Sequence, residues 1–381
     1  MLKTKIHSLA FGGFGVGRIN GKICFVKGAL PTEEVSFEII KETKNYIQAN
    51  VLDIYNISQY REKAVCKHYF KCGGCQLQHI SYKQELFYKE QQLIEIFDKI
   101  GKIKNIKVQQ TIGSKEKYFY RSTITLHNNK NYYGFFCEDN KTIINIDKCY
   151  LVDKHINKFL INNSCNNSEK KRITIKSDYN GNIWTNYIEN SNFINKYKEI
   201  YLFMSTGSFS QSNIYICEKI IDTLNAWLDN EKYETIFFDI YCGIGLFSFA
   251  LKEKFSLFLG IDNNKNAIDC AKKTKKEFNI YNTKFFIAEA KNKLFSIFNK
   301  YKSTNNILFV NPPRIGLEKK LISQLCGFDN INKLYYLSCN PATLARDSNI
   351  LVNNGFTINK VVCFDMFPRT KFFETLVEFI K

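Results

Sequence analysis

Thr235-Ile-Phe-Phe-Asp-Ile-Tyr-Cys-Gly-Ile-Gly-Leu-Phe-Ser-Phe-Ala-Leu251 reads as a strand, a tight turn and a helix. The β-rich run Thr235–Ile240 leads into Tyr241-Cys-Gly243-Ile-Gly245, and Leu246–Leu251 continues with helical residues. Glycines at a strand-to-helix turn let a ligand approach the backbone. A Gly-x-Gly alone is weak evidence, and Ser248 holds the third-glycine position of a dinucleotide fingerprint, so no pyrophosphate need be bound here. The next strand, Phe255–Ile261, ends in Asp262, nineteen residues after Gly243, where a carboxylate reaches ribose hydroxyls. From about residue 201 strands alternate with helices, which predicts a doubly wound α/β sheet.

Two more strand ends follow. Ile307–Val310 runs into Asn311-Pro312-Pro313-Arg314, and the apolar run Leu334–Leu337 runs into Leu337-Ser-Cys-Asn-Pro-Ala-Thr-Leu-Ala-Arg-Asp347. Cys339 therefore falls where a buried strand stops. Pro341 fixes the backbone after it, and Ala342–Asp347 read as the first turns of a helix. A thiol near a helix N-terminus is easier to ionise, which suits a nucleophile, although a lone cysteine more commonly just fills core space. The chain's end carries Asp365-Met-Phe-Pro-x-Thr370-x-x-x-Glu374-Thr.

The run Ser338, Cys339, Asn340, Pro341, Thr343, Arg346, Asp347 resembles the RNA uridine C5-methyltransferase family, whose nucleophile lies in the same Ser-Cys-Asn-Pro-x-Thr-x-x-Arg-Asp pattern. The resemblance implies a Rossmann-like class I methyltransferase domain that uses S-adenosylmethionine. It implies Cys339 as nucleophile and Glu374 as the base that takes the proton from C5. Tyr241 and Gly243 would line the methionine side, Asp262 the ribose and Glu289 the adenine edge. Gln211, in Gly207-Ser-Phe-Ser-Gln-Ser-Asn213, matches the family's Phe-x-Gln-x-Asn cofactor segment. Asn311 stands where the family has aspartate, keeping an acceptor oxygen but losing the charge, and is expected to contact cofactor or uracil. Phe372 stands where the family has histidine, and Ser122-Thr123 where it has Asn-Lys.

Cys66-x5-Cys72-Gly73-Gly74-Cys75 gathers three thiols within ten residues. Two glycines let the backbone fold tightly around a metal or a cluster. His68 and His79 keep zinc open on spacing alone. The family resemblance points instead to a [4Fe-4S] cluster on Cys66, Cys72, Cys75 and the distant Cys149, stapling the domain rather than passing electrons. Ahead of it, Gly12–Arg18, the Asn20-Gly21 hairpin signal and the strands Ile23–Val26 and Val35–Ile40 predict a small β-barrel. It resembles a TRAM domain, an OB-like RNA-binding module, with Arg18, Lys22, Lys27, Lys41 and Lys44 on its nucleic-acid face. Tyr82–Ile100 has apolar residues at helical spacing, Leu86, Leu93, Ile96, Phe97 and Ile100. In the middle, Tyr132, Tyr133, Phe135 and Phe136 read either as base-stacking platforms or as core. Cys165 lies in a polar loop.

The expected architecture is α/β: a barrel over 1–57, a central mixed α/β iron–sulfur domain over 58–200, and the methyltransferase domain over 201–381. A charge of +18 biases encounters toward nucleic acid, and an Asn-, Ile- and Lys-rich composition is the plainer source of the same number. No run of 18 apolar residues occurs, so no membrane-spanning helix is expected. Met1–Lys5 lacks the apolar core of a signal peptide, and a cytoplasmic monomer is expected. The function that the resemblance implies is methylation of uridine C5 in RNA, 23S rRNA in preference to the T-loop of tRNA. Two readings of other classes remain: a non-catalytic RNA-binding or RNA-folding protein, suggested by the three departures, and an amino-group methyltransferase, suggested by Asn311-Pro-Pro.

Overall fold

The computed structural model describes residues 2–129, 132–162, 171–186, 191–301 and 305–381; Cys165 lies outside them. The chain begins with a six-stranded sheet, β1 (Leu2–Lys5), β2 (Ser8–Ala10), β3 (Phe14–Ile19), β4 (Lys22–Lys27), β5 (Glu34–Glu42) and β6 (Tyr46–Ile54), in the order β1-β5-β6-β4-β3-β2. Asn20 and Gly21 take φ of 47° and 80° between β3 and β4, the left-handed pair that a two-residue hairpin requires. Its core is small: Ile6, Cys24, Val26, Val35, Phe37 and Ile47 are buried together. Lys22 pairs with Glu42, and Lys27 with Glu138, so two of the five expected RNA-facing cations already hold carboxylates.

Helix α1 (Tyr82–Lys99) follows the cysteine loop. Its inward face departs from the apolar stripe: Glu85, Lys89 and Gln92 are buried beside Leu93 and Phe97, while Ile100 is exposed. The reason is what the helix packs against. Gln92 Nε2 donates to the carbonyls of Leu9 and Ala10, at 3.0 and 3.2 Å. Lys89 Nζ donates to Glu85 at 2.8 Å and to Asp365 at 2.6 Å. Buried backbone and carboxylates from three parts of the chain need partners, which hydrophobic spacing cannot announce.

Strand β7 (Gln109–Ile112) leaves the middle segment to join the large sheet at its edge. The middle sheet holds β8 (Thr123–Asn128), β9 (Tyr133–Phe136), β10 (Ile143–Asn145), β11 (Arg172–Ser177) and β12 (Ile183–Thr185), with α2 (Lys154–Asn162) packed on it. Tyr133 belongs to the core of this sheet with Ile124, Leu126, Ile173 and Ile175, and Phe136 lies 4.2 Å from the ring of His127. Tyr133 is therefore core rather than a free stacking platform. The hairpin β13 (Asn192–Tyr197) and β14 (Ile200–Ser205) leads to α3 (Ile214–Trp227), capped by Asn213.

The rest alternates: β15 (Ile236–Ile240), α4 (Leu246–Ala250), β16 (Leu257–Asp262), α5 (Lys265–Glu277), β17 (Thr283–Ile287), α6 (Ala290–Lys300), β18 (Asn306–Val310), α7 (Lys319–Gly327), β19 (Ile331–Ser338), α8 (Pro341–Asn353), β20 (Thr357–Phe364) and β21 (Glu374–Ile380). The sheet order is β17-β16-β15-β18-β19-β21-β20-β7, parallel from β17 to β19, with β21 running antiparallel between β19 and β20. Two apolar clusters cover its two faces, one with Phe237, Phe309 and Tyr335, the other with Phe238, Leu308 and Tyr336. Alternate side chains of each strand point to opposite faces, so both faces must be covered, and the strands read as continuous apolar runs. Every parallel strand ends at one edge, where the reversal of strand order opens a crevice.

Candidate active site

The turn after β15 is built for a ligand. Tyr241, Gly243 and Gly245 all have positive φ, at 64°, 54° and 80°. A Cβ on Gly245 would meet Phe249 and Phe285 at 2.8 Å, so that glycine serves packing, whereas a Cβ on Gly243 would meet nothing within 4 Å. Space is held open there beside the backbone. Asp262, at the end of β16, accepts from Gly243 N at 2.9 Å and Asn264 N at 2.8 Å, which locks its carboxylate beneath the turn. Asp239 is wholly buried one strand over; Ser248 Oγ donates to its Oδ2 at 2.7 Å, its Oδ1 has no partner, and burial pushes it up to about 7. Gln211 is buried with Oε1 unpartnered. An orphaned buried acceptor such as that of Asp239, on the strand leading into an open turn, fits a polar ligand with donors to offer. Asn311 follows β18 and its amide donates to Ile240 O at 3.2 Å. Glu289 caps α6 after β17, half exposed, with Asn292 donating to it at 3.0 Å.

Cys339 and Glu374 meet through strand register. β19 and β21 pair antiparallel, and the last matched pair is Ser338 with Thr375. One step further along that register Cys339 faces Glu374. Glu374 is 4% exposed, its Oε2 has no partner, and burial pushes its carboxyl up to about 8, with Arg314 pulling the other way. Burial also pushes the Cys339 thiol up to about 11, with the charge of Glu374 adding to the rise and Arg314 opposing it. The expected easing by the helix N-terminus is outweighed: desolvation and the neighbouring carboxylate win. Both groups rest neutral near pH 7.

Arg314, which the motif reading passed over, is the cation common to both. Its guanidinium lies 4.4 Å over the ring of Phe372. The remaining fixed residues of the 338–347 run hold its loop. Asn340 Nδ2 donates to Arg314 O at 2.8 Å, Thr343 Oγ1 to the same carbonyl at 3.3 Å, and Arg346 Nη2 to Ile315 O at 3.0 Å. Asp347, buried, accepts from Leu317 N, Tyr336 Oη and Arg346 Nε, each at 2.8 Å. The pattern is thus a clamp that sets one loop over one sulfur. A sign was present in the sequence: a signature with so many polar positions on a buried helix needs buried partners.

The four cysteines expected to hold a cluster are brought to one place. Cys66, Cys72, Cys75 and Cys149 line a cavity of about 80 Å³ with Ile124, Phe135, Ile146, Leu151 and Val152. Gly74 N donates to Cys72 Sγ at 3.4 Å, and Asn157 fixes Cys149 by accepting from its N and donating to its O, both at 2.9 Å. Among the described residues no three His, Cys, Asp or Glu side chains stand as a group that could hold a single metal ion. Burial pushes the thiols of Cys72, Cys75 and Cys149 up, Cys72 to about 11.

Between the middle sheet and the 206–212 segment lies a second cavity, about 700 Å³, lined by Arg121, Arg172, Lys176 and Phe209. Ser122-Thr123 here binds to that segment: Ser122 N donates to Ser212 O at 2.9 Å and Thr123 Oγ1 lies 3.3 Å from Ser210 Oγ.

Residues 163–381 match the tRNA (uracil-5-)-methyltransferase family and residues 4–52 the TRAM domain. The chain is 30% identical to an uncharacterized RNA methyltransferase of Aquifex aeolicus, over 98% of this chain and 97% of that one. It is 26% identical to the 23S rRNA (uracil(1939)-C(5))-methyltransferase RlmD of Aliivibrio fischeri, over 99% and 96%. In fold it is similar to the Pyrococcus abyssi tRNA (uracil-54, C5)-methyltransferase in complex with S-adenosyl-L-homocysteine, with a TM-score of 0.75 at 21% identity, covering all of both chains. The chain belongs to the tRNA (uracil-5-)-methyltransferase family, and it is an S-adenosylmethionine-dependent enzyme that methylates uracil C5 in RNA.

Proposed function

We propose that Cys339 is the nucleophile and Glu374 the general base of this reaction, acting on a uridine of 23S rRNA. The observation that carries the assignment is the register of β19 and β21, which brings the two residues face to face beside Arg314. Uracil C5 is a poor nucleophile until a thiolate adds at C6. The Cys339 thiol gives up its proton to water and the thiolate forms that bond, so C5 becomes enolate-like; S-adenosylmethionine would supply the electrophilic methyl that C5 takes, with S-adenosylhomocysteine as the leaving group. Glu374, as carboxylate, then removes the C5 proton, and the C6–sulfur bond breaks to restore the ring. Arg314 favours the ionised form of each residue and so lowers the cost of ionising them for the reaction. Gln211, Tyr241, Gly243, Asp262, Glu289 and Asn311 hold the cofactor, supported by the open turn at Gly243 and the orphaned acceptor of Gln211.

A [4Fe-4S] cluster on Cys66, Cys72, Cys75 and Cys149 is part of this reading. Four thiols around one apolar-walled cavity suit an iron–sulfur cluster, which supplies a cross-link between residues 66–75 and 149. The division 1–57, 58–200 and 201–381 is supported by the separate cores of the barrel and the middle sheet, while Leu93, Phe97, Phe193, Tyr197 and strand β7 from the second span pack with the large sheet. The rRNA target rests on the Aliivibrio relative, matched over nearly its whole length. The basic cavity at Arg121, Arg172 and Lys176 gives RNA phosphates a place to bind. A cytoplasmic location, where the ribosome is made, goes with this substrate, and one chain supplies every residue named.

RNA carrying 5-fluorouridine tests the chemistry, since fluorine cannot be abstracted. A covalent RNA–protein adduct is expected, lost in Cys339→Ala; an adduct that persists there removes the assignment. Labelled methyl transfer to 23S rRNA and tRNA, assayed separately, decides the substrate.

A further inference from the structure

A fifth cysteine stands beside the four. Residues 72 and 137 are joined by an isolated antiparallel β-bridge. Gly73 N donates to Phe136 O at 3.0 Å and Glu138 N to Lys71 O at 3.3 Å, so the hydrogen bonds flank the two cysteines instead of linking them. In such a non-hydrogen-bonded pair facing Cα atoms lie about 4.5 Å apart, with both side chains on one face. A disulfide spans Cα separations of about 4.4–6.8 Å. Among the described residues no other two cysteines are paired across strands: Cys24 faces Gly17 and Ile47, and Cys363 faces Thr375.

We propose that Cys72 and Cys137 form a redox-modification site, closed into a cross-strand disulfide by small-molecule disulfides such as oxidised glutathione. Both residues are half-buried and within reach of a small oxidant. Cys72 lines the four-thiol cavity and Cys137 lines the adjoining surface depression with Lys71 and Glu138. The backbone pairing is already made, so rotation of the Cys72 side chain away from Gly74 N brings the sulfurs together. One protein thiolate attacks oxidised glutathione and releases one glutathione, leaving a mixed disulfide. The second protein thiolate displaces the other glutathione and closes the bond. Two protein thiol protons are lost, and oxidised glutathione takes both electrons. Both sulfurs are within reach of small thiols, so the bond opens again under thiol reductant. The bond and the cluster compete for Cys72, and oxidation of the empty protein would block loading until reduction.

The full-length chain, purified without iron, is treated with oxidised glutathione, alkylated and digested without reductant. A peptide pair is expected whose fragment spectra join Cys137 to Cys72, absent in Cys137→Ser. Joining of Cys72 to Cys66, Cys75 or Cys149, or glutathione adducts alone, overturns the proposal. In a second arm the oxidised protein is offered iron and sulfide. Wild type is expected to take up at least several-fold less iron than Cys137→Ser, and to recover after reduction. Equal loss of uptake in both proteins also overturns the proposal. If neither protein loads iron even when reduced, the cluster reading fails, and the peptide arm still decides the disulfide.

Discussion

The guanidinium of Arg314 rests on the ring of Phe372, 4.4 Å from its centroid, at the place where Cys339 and Glu374 face each other. A cation held by an aromatic face stays charged and mobile in orientation, whereas a carboxylate partner would neutralise it. Arg314→Met is expected to lower methyl transfer about 100-fold or more, because a cation opposing both raised pKa values is gone. Phe372→Ala should cost about 3- to 10-fold, and Phe372→His less. Initial rates between pH 6 and 10 check both variants, and the midpoint of the Arg314→Met profile is expected at higher pH than wild type.

As the proposed base Glu374 would act only as carboxylate, and burial pushes its ionisation up to about 8. Activity is therefore expected to climb with pH through about 8 and to go on rising toward the ionisation of the Cys339 thiol near 11. Glu374→Gln should reduce turnover about 1,000-fold while the RNA adduct through Cys339 still forms and persists.

The same burial has a thermodynamic side. Between the ordinary carboxylate value, 4.5, and about 8, folded Glu374 carries a proton that the unfolded chain has lost. Asp239 behaves likewise between 3.8 and about 7. Stability contributed by these groups thus falls as pH rises through that window. At pH 8 Glu374→Gln is expected to raise Tm by a few degrees, with a smaller gain at pH 5. Thermal unfolding at the two pH values measures it.

Much of this was legible in the sequence because it is local. Strand-turn-helix at 235–251, the spacing to Asp262 and the 338–347 run each carry their reading within a few residues. Arg314 was not, since its importance comes from Asn340, Thr343 and Arg346 gripping its loop from 26 or more residues away. Nor were Glu85 and Lys89, which sit on the buried face of α1 because Asp365, far along the chain, waits there. Local spacing cannot encode a partner that distant in sequence. The edge strand β7 escaped for the same reason: four residues joining a sheet through Val362 and Phe364 leave almost no pattern.

Asp347 is where the signature motif spends most of its hydrogen bonds. Asp347→Ala would leave Leu317 N, Tyr336 Oη and the Arg346 charge without their acceptor in a buried place. A loss of about 3–5 kcal/mol is expected, read by urea unfolding. Asn340→Ala, removing one bond to the Arg314 carbonyl and a helix cap, should lose about 1–2 kcal/mol and more activity than its stability suggests.

The cysteine loop also reaches the segment that leads into Glu374, the proposed base. Gln76 N and Leu77 N both donate to Arg369 O at 3.1 Å, and Lys371 N donates to Gln76 Oε1 at 3.1 Å. Arg369 has φ of 67°, a left-handed conformation that a non-glycine residue keeps only when its surroundings impose it. Its guanidinium donates to Ile80 O at 2.6 Å and lies 3.3 Å from Glu85. Residues 76–80 therefore dictate the path of 369–371, and that path delivers Glu374 to the start of β21. Gln76→Ala removes one link on the surface side without touching the buried charges. It is expected to lower kcat several-fold with KM for S-adenosylmethionine unchanged, since the turn at Tyr241–Gly245, proposed to hold the cofactor, lies three strands away from β21. Should KM for the cofactor rise while kcat holds, the loop at 76 would be acting on the cofactor site, and the path to Glu374 would be set by β21 alone.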